Sequence, residues 1–399
     1  MPTSPKATAD RVIKLGPDCA ALPEKLLLAH ARGQVLFITG AGTSQAANLP
    51  DFRGLVLQTY QTIDPATYAV LKTIPHDASS HHRTKLGGLQ PQQCAEVQRF
   101  IKGDYDVILG MLERRMDGSS TRASQVRQTI ADVLRKASVG PAGIHRSLMR
   151  LADRSGAVTI ITTNFDLLLE KAAHTLRPKL QSYALGAIPR PSARSEFSGI
   201  FHIHGALDTN PARLSDIIVT DQDFGDFYLR RRLISDFIYD AARLFHLVLV
   251  GYSANDAPMR YLLNAVAADG SRFSDLKERF SLVSGNAEPD SAAMEDWKMR
   301  GITPIPYSDE NAHLALSRTL ERWAIFSANN GKRNRVDAEV KRIVRVSRET
   351  CAETDRDLFD HFIRRGDHNE RVRLTGLISS LGADTGWLDA IISIGKERQ

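Results

Sequence analysis

A run of β-branched and large apolar residues, Val35-Leu36-Phe37-Ile38, stops at Gly40-Ala41-Gly42-Thr43-Ser44. The run reads as a buried strand. A chain that leaves such a strand through two glycines around one small residue needs a tight strand-to-helix turn. Glycine tolerates that turn and lets backbone N–H groups come close to a diphosphate. A helix that follows presents its own N-terminal N–H groups to the same anion. The third glycine of the usual dinucleotide fingerprint is missing, so the five residues alone also fit an ordinary glycine turn, with Asp51 and Arg53 as surface charges. The continuation Asn48-Leu49-Pro50-Asp51-Phe52-Arg53-Gly54 discriminates between the two.

Three more strand-then-turn units follow. Residues 157–162 lead into Thr163-Asn164-Phe165-Asp166, 201–204 into Gly205-Ala206, and 247–250 into Gly251-Tyr252-Ser253. Residues 281–283 and 302–305 add two further strands. Strands alternating with helical patterns predict an α/β fold, a Rossmann-like open parallel sheet with helices on both faces. In such sheets the ligand site lies beyond the carboxyl ends of the strands, where these turns are. Residues 1–23 read as a loose leader, 24–32 as a short helix feeding the first strand, and 75–91 as a polar loop. Leu109, Leu112 and Met116 share one face of a helix. After Trp323 the texture changes: Val336, Val340, Ile343 and Val344 keep helical spacing amid many charges, as do Leu358, Phe359, Phe362 and Ile363, and Leu374, Leu377, Ile378 and Leu381. The predicted organisation is a leader (1–23), a main domain (24–327) and a small helical C-terminal segment (328–399), with the polar stretch 328–335 as linker.

No apolar stretch reaches membrane-spanning length and no hydrophobic signal core opens the chain, so a cytoplasmic location is expected. The three cysteines, Cys19, Cys94 and Cys351, lie too far apart for a disulfide framework and are too few for a four-cysteine zinc site. The net charge of +6 is spread along the chain, so contact with nucleic acid is permitted but not demanded.

Gly40-Ala41-Gly42-x-Ser44 joined to Pro50-Asp51-Phe52-Arg53 resembles the first motif of the sirtuin (silent-information-regulator) superfamily. Thr162-Thr163-Asn164-Phe165-Asp166 is similar to its second motif, with Thr163 in the usual glutamine position. Pro141-Ala142-Gly143-Ile144-His145 resembles the helix that precedes this strand, and His145 reads as structural. His204-Gly205 matches the family's histidine–glycine pair, and Val250-Gly251-Tyr252-Ser253 takes the place of a Gly-Thr-Ser segment. The resemblance covers residues 35–256 and implies NAD as substrate, with Gly40, Ala41, Gly42, Ser44, Asp51, Phe52, Arg53, Asp166, Gly251 and Ser253 as its contacts. Asn164 would orient the nicotinamide ribose and a water through its carboxamide. His204 would be the base, a task for which a histidine near its ordinary pKa is suited. Asp166 fits ribose binding and helix capping equally well. His202, two residues before His204, shares its strand face and is a second, weaker choice. Asp256 reads as a helix cap.

Deacylating relatives carry two Cys-x-x-Cys pairs in a zinc ribbon after the catalytic histidine. This chain has none there, so no zinc is expected. Residues 214–224, ending Thr220-Asp221-Gln222-Asp223-Phe224, resemble a segment of bacterial sirtuin-like proteins of anti-phage defence that hydrolyse NAD outright. Cleaving the nicotinamide–ribose bond leaves a cationic sugar carbon, and the nucleophile beneath it decides the product. The resemblance therefore implies an NAD glycohydrolase depleting NAD in defence, with a zinc-free deacylase as the alternative. A sensor that binds NAD without cleaving it has no need of Asn164 and His204 together. Unrestrained hydrolysis would kill the host, so restraint is expected from homo-oligomerisation, the helical tail, or a companion such as a HerA-like ATPase or an Argonaute-type protein.

Overall fold

The computed structural model describes residues 11–76, 82, 84–118, 124–136, 140–154, 156–174, 180–207, 216–252, 276–285 and 291–396. Along the chain the strands are β1 (Val12–Lys14), β2 (Ala21–Pro23), β3 (Val35–Thr39), β4 (Asp153–Arg154), β5 (Ala157–Thr162), β6 (Ser182–Ala184), β7 (Gly199–His202), β8 (His246–Val250), β9 (Arg279–Ser284) and β10 (Thr303–Tyr307). Eight of them form one sheet, with β10-β9-β8-β3-β5-β7-β6 in order and β4 hooked onto β5. Every pairing along that path is parallel, and β4 alone runs antiparallel. The chain starts at β3, builds outward through β5, then returns to lay β8 on the other side. The strand order therefore reverses between β3 and β8, the place where open α/β sheets bind ligands.

The two faces of the sheet read out the period of two along each strand. Val35 and Phe37 join one core with Val158 and Ile160, while Leu36 and Ile38 join another with Ile161 and Phe201. The helices Gly143–Leu151 and Glu310–Phe326 cover the first face, and Leu233–Leu244 and Ala292–Met299 the second. A third core lies within a helical module between β3 and β4, whose helices include Phe52–Ile63, Tyr105–Asp117 and Gln125–Lys136. Leu109 and Leu112 are buried there as expected, but Met116 faces outward with 40 % of its surface exposed.

Two expectations change. Residues 11–23 are not loose: β1 and β2 pair antiparallel, and Ile13, Leu15 and Leu22 are buried. The C-terminal helices are no tethered appendage either. Val336, Val340, Leu358, Phe359, Phe362 and Trp387 belong to the same core as β1, β2 and the first sheet face. Glu24 fixes the junction, accepting two bonds from Arg364 Nη1 at 3.0 Å and lying 3.3 Å from His361. At the predicted linker, a Cβ on Gly331 would lie 2.1 Å from the Ser327 carbonyl oxygen, so that stretch is a packed corner.

The helical module is held against the sheet by a buried cation. Arg127, 2 % exposed, donates from Nε to Glu113 at 2.9 Å, from Nη1 to the Ile217 carbonyl at 2.7 Å, and from Nη2 to both oxygens of Asp223 at 2.8 Å. Asp223 also accepts from the Val219 and Thr220 N–H groups and the Thr220 hydroxyl, and so caps the short helix Asp221–Phe224. Removing one partner of a buried ion cluster strands the others in low dielectric, at a cost of about 3–5 kcal/mol. Arg127→Met should lose stability of that order in urea unfolding, far more than Arg53→Met on the same module. Equal midpoints for the two variants would refute the anchoring role of Arg127.

Candidate active site

The carboxyl ends of β3, β5 and β7 open into a cleft roofed by the helical module, with about 680 Å³ of empty space that is partly open to solvent. Its polar wall is Ser44, Thr163, Asn164, Asp166 and His204, and its apolar wall includes Leu49, Pro50, Phe52, Leu55, Phe165 and Phe224. Asp51 and Ala41 complete the wall.

The glycine turn after β3 serves the sheet itself. A Cβ on Gly40 would sit 2.8 Å from the Gly251 carbonyl oxygen and 2.9 Å from the Tyr252 ring. Gly251 has φ +75°, and a Cβ there would meet the Thr43 amide at 2.6 Å. Two strand ends thus interlock where only glycine fits. The Gly40 N–H donates to the Val250 carbonyl at 2.9 Å and the Gly42 N–H to the Gly251 carbonyl at 3.0 Å. These two N–H groups, expected to face a diphosphate, are already engaged. Ala41 and Ser44 do line the cleft.

Asn164 is the hub. Its carboxamide NH₂ donates to the Gly40 carbonyl at 3.0 Å, Thr43 Oγ1 at 3.2 Å and Ser44 Oγ at 2.8 Å, tying the end of β5 to the turn after β3. Its amide oxygen makes no bond among the described residues. Ser44 Oγ donates in turn to Asp166 Oδ2 at 2.6 Å, while Asp166 Oδ1 accepts from the Leu168 N–H at 3.0 Å and so caps the helix Leu168–His174. The cap accounts for one carboxylate oxygen of Asp166, and the other belongs to the cleft wall.

His202 and His204 part company. Gly205 turns the chain at φ +90°, where a Cβ would strike the Asp216 carbonyl oxygen at 2.4 Å. His204 ends in the cleft wall, 5 % exposed, with Nε2 2.5 Å from the Tyr228 hydroxyl and its ring edge-on to Phe224. Burial pushes its pKa down to about 3, so the ring is neutral at ordinary pH. His202 does not reach the cleft. Its Nδ1 lies 2.9 Å from the Asn164 carbonyl oxygen and its Nε2 2.7 Å from Glu170. Two acceptors around one ring require both nitrogens protonated.

Other predicted residues divide. Asp51 lines the cleft and caps the helix Phe52–Ile63, accepting from the Gly54 N–H at 2.6 Å. Phe52 lines the cleft, whereas Arg53 turns away, donating to the Ile74 carbonyl at 2.5 Å with its guanidinium 4.9 Å from the Phe100 ring. Gly251 supports the turn after β3 from behind. Ser253 and Asp256 lie outside the described residues. His145 accepts the Ala142 N–H at 3.2 Å, a helix-capping contact. Sequence reasoning missed Phe224 in the cleft wall, and Thr43, Glu170 and Tyr228, which support that wall from behind. Only Phe224 and Tyr228 carried a signal, an aromatic pair at helical spacing behind a Thr-x-x-Asp cap.

Residues 158–305 match the SIR2-like domain family. The chain is similar to the uncharacterized protein y4cA of Sinorhizobium fredii, 33 % identical over 373 residues, covering 89 % of this chain and 28 % of that protein. The chain thus spans little more than a quarter of that relative's length. Among solved structures it is similar to a Sir2 homolog–NAD complex, with TM-score 0.35 and 16 % identity over 77 % of this chain and 95 % of the other. A Sir2 enzyme studied for its mechanism and regulation gives 0.33 and 15 % over 75 % and 94 %.

The Glu170–His202 pair makes a testable contribution of its own. Burial opposes the charged ring of His202, but the hydrogen bond and charge of Glu170 overcome it and hold the pKa above 6.5. Burial likewise opposes the Glu170 carboxylate, and the His202 bond overcomes it and holds that pKa below 4.5. A raised histidine pKa gives stability that is full below 6.5 and lost as pH rises through the folded value. A lowered carboxylate pKa gives stability that is full above 4.5 and lost as pH falls through the folded value. The melting-temperature gap between the parent chain and Glu170→Gln should therefore be widest between pH 4.5 and 6.5 and close on the alkaline side. A gap that persists undiminished to about pH 9 would mean that His202 is not the titrating partner.

Proposed function

We propose that this chain, whose residues 158–305 form a SIR2-like domain, is an NAD glycohydrolase that cleaves NAD with water to nicotinamide and ADP-ribose. The observation that carries the reading is the cleft wall itself. It places the unengaged amide oxygen of Asn164 and the neutral ring of His204 beside an apolar face of Phe52, Phe165 and Phe224. That wall fits the nicotinamide–ribose end of the dinucleotide, with aromatic surface for the ring and amide and carboxylate oxygens for ribose hydroxyls. The interlocked glycines leave the diphosphate to other groups, and Ala41 and Ser44 are the described residues nearest that role.

In this reading the bond between nicotinamide and the ribose carbon breaks with its electron pair going to the nicotinamide nitrogen. The oxygen of a water held by Asn164 bonds to that carbon, and the proton passes to His204. The balance is NAD⁺ and water in, ADP-ribose, nicotinamide and one proton out. Hydrolysis is preferred to deacylation because three scattered cysteines cannot build the four-cysteine ribbon that presents acyl peptides in deacylating relatives. The retained Pro50-Asp51-Phe52-Arg53 loop favours the deacylase alternative, yet Arg53 is turned out of the cleft. Such an activity suits NAD depletion in bacterial anti-phage defence, in the cytoplasm. A homo-oligomer or a companion protein, an ATPase of the HerA type among them, would restrain it until infection.

The test incubates the purified chain with NAD, with and without an acetylated peptide, beside Asn164→Ala and His204→Ala variants whose melting confirms that they fold. ADP-ribose should form without peptide and fall at least about 100-fold in both variants. Turnover only with peptide, giving O-acetylated ADP-ribose, would replace the hydrolase reading by the deacylase one.

A further inference from the structure

A buried histidine makes a poor base unless something stabilises its protonated form. No charged side chain among the described residues bears on the titration of His204, and burial alone drives its pKa down. Protonation would create an imidazolium against Phe224 and the Tyr228 ring, edge-on at 5.5 and 5.8 Å between centroids. Among the described residues its one polar contact is the Tyr228 hydroxyl, 2.5 Å from Nε2. The Nδ1 nitrogen has no partner among the described residues.

The backbone delivers that hydroxyl through an unusual element. Residues Gly225–Arg230 form a single π-helical turn between the helices Asp221–Phe224 and Leu233–Leu244. One wide turn re-aims the side chains it carries, and such turns are common at functional sites. Here Tyr228 is buried while Leu229, its neighbour, is 76 % exposed. Both ends are fixed: Asp223, bound by Arg127, holds the start, and Ser235 Oγ donates to the Tyr228 carbonyl at 2.8 Å. Tyr228 does not line the cleft, so it reaches substrate only through His204.

We infer that Tyr228 is the positioning residue that makes His204 a usable base, its phenol oxygen accepting the His204 Nε2–H so that Nδ1 takes the proton of the attacking water. The inference rests on the hydrolase reading above. As the water O–H bond breaks, its electrons remain on the oxygen that bonds to the ribose carbon, and the proton goes to Nδ1. The resulting ring charge is met by the Nε2–H···O bond, and the phenol proton stays on Tyr228 throughout. The arrangement follows the logic of a nucleophile's base oriented by a third group.

Tyr228→Phe keeps the ring and removes the oxygen. In protein labelled with ¹⁵N-histidine, the parent should show His204 as the Nε2–H tautomer, and the variant should lose that preference. With NAD, kcat of the variant should fall about 10- to 100-fold with KM changed less than about twofold. The acidic limb of its pH–rate profile should move to lower pH, since an unsupported imidazolium gives up its proton more readily. Combined with His204→Ala, the substitution should cost nothing further. An unchanged tautomer, an unmoved limb, or additive losses in the double variant would each overturn the inference. A parent chain that leaves NAD intact but shows the tautomer change would retire the hydrolase reading and leave the Tyr228–His204 pair standing.

Discussion

A guanidinium buried to 2 % exposure has to be surrounded by acceptors, and the way Arg127 finds them shapes the whole site. Glu113 comes from the neighbouring helix of its own module, and Asp223 comes from the chain after β7, 96 residues away. Satisfying one cation therefore closes the helical module over the carboxyl ends of the sheet. Asp223 is simultaneously the partner of the N-cap Thr220 in the capping box of Asp221–Phe224, so the bond that closes the roof also sets the direction of the next turn. Phe224 and, through the π-helical turn, Tyr228 arrive at His204 as a result. The Thr-x-x-Asp-Phe pattern is in this sense a packing device whose last residue touches the cleft.

The floor of the cleft follows a different rule, close backbone approach. Gly40, Gly42 and Gly251 let the ends of β3 and β8 meet at distances no side chain allows, and the bonds from Gly40 and Gly42 satisfy the backbone there. Asn164 then bridges β5 to the same turn, the two N–H bonds of one carboxamide reaching three acceptors. A carboxamide used this way cannot rotate, so its oxygen has a fixed heading. Rigidity of the floor and fixity of that oxygen have a common cause.

Much of this was legible from pattern alone. Apolar runs placed β3, β5, β8, β9 and β10 to within a residue or two, because strands buried on both faces, as β3 and β5 are, read as continuous hydrophobic segments. The capping of Asp166 and the glycine after His204 were visible as local chemistry. Long-range pairing was not. Nothing near Arg127 in sequence announces Asp223, and nothing near His202 announces that Glu170 waits on a helix 32 residues earlier. The strands Val12–Lys14 and Ala21–Pro23 are too short to show a period, and the first is covered by the tail helix Glu353–Arg365, more than 300 residues away, while the second packs on β10 and the helix Glu24–Ala31. Arg53 misled for the same reason: a charged residue in a stretch that resembles a ligand-binding motif suggests a ligand, but the Phe100 face and the Ile74 carbonyl hold it.

The sharpest case is the pair of histidines two residues apart. A strand's alternation would put both rings on one face, and periodicity offers no means of telling them apart. The chain distinguishes them by ending β7 at His202 and turning at Gly205. One ring then meets a carboxylate and a carbonyl and is held charged. The other meets the rings of Phe224 and Tyr228 and the hydroxyl of the latter, and is held neutral. A charged ring with both N–H groups engaged cannot accept a proton, whereas a neutral ring with one nitrogen unpartnered among the described residues can. Environments that push two like groups in opposite directions assign their roles. His202 bonds the backbone of Asn164 behind the cleft, and His204 is the ring that lines it.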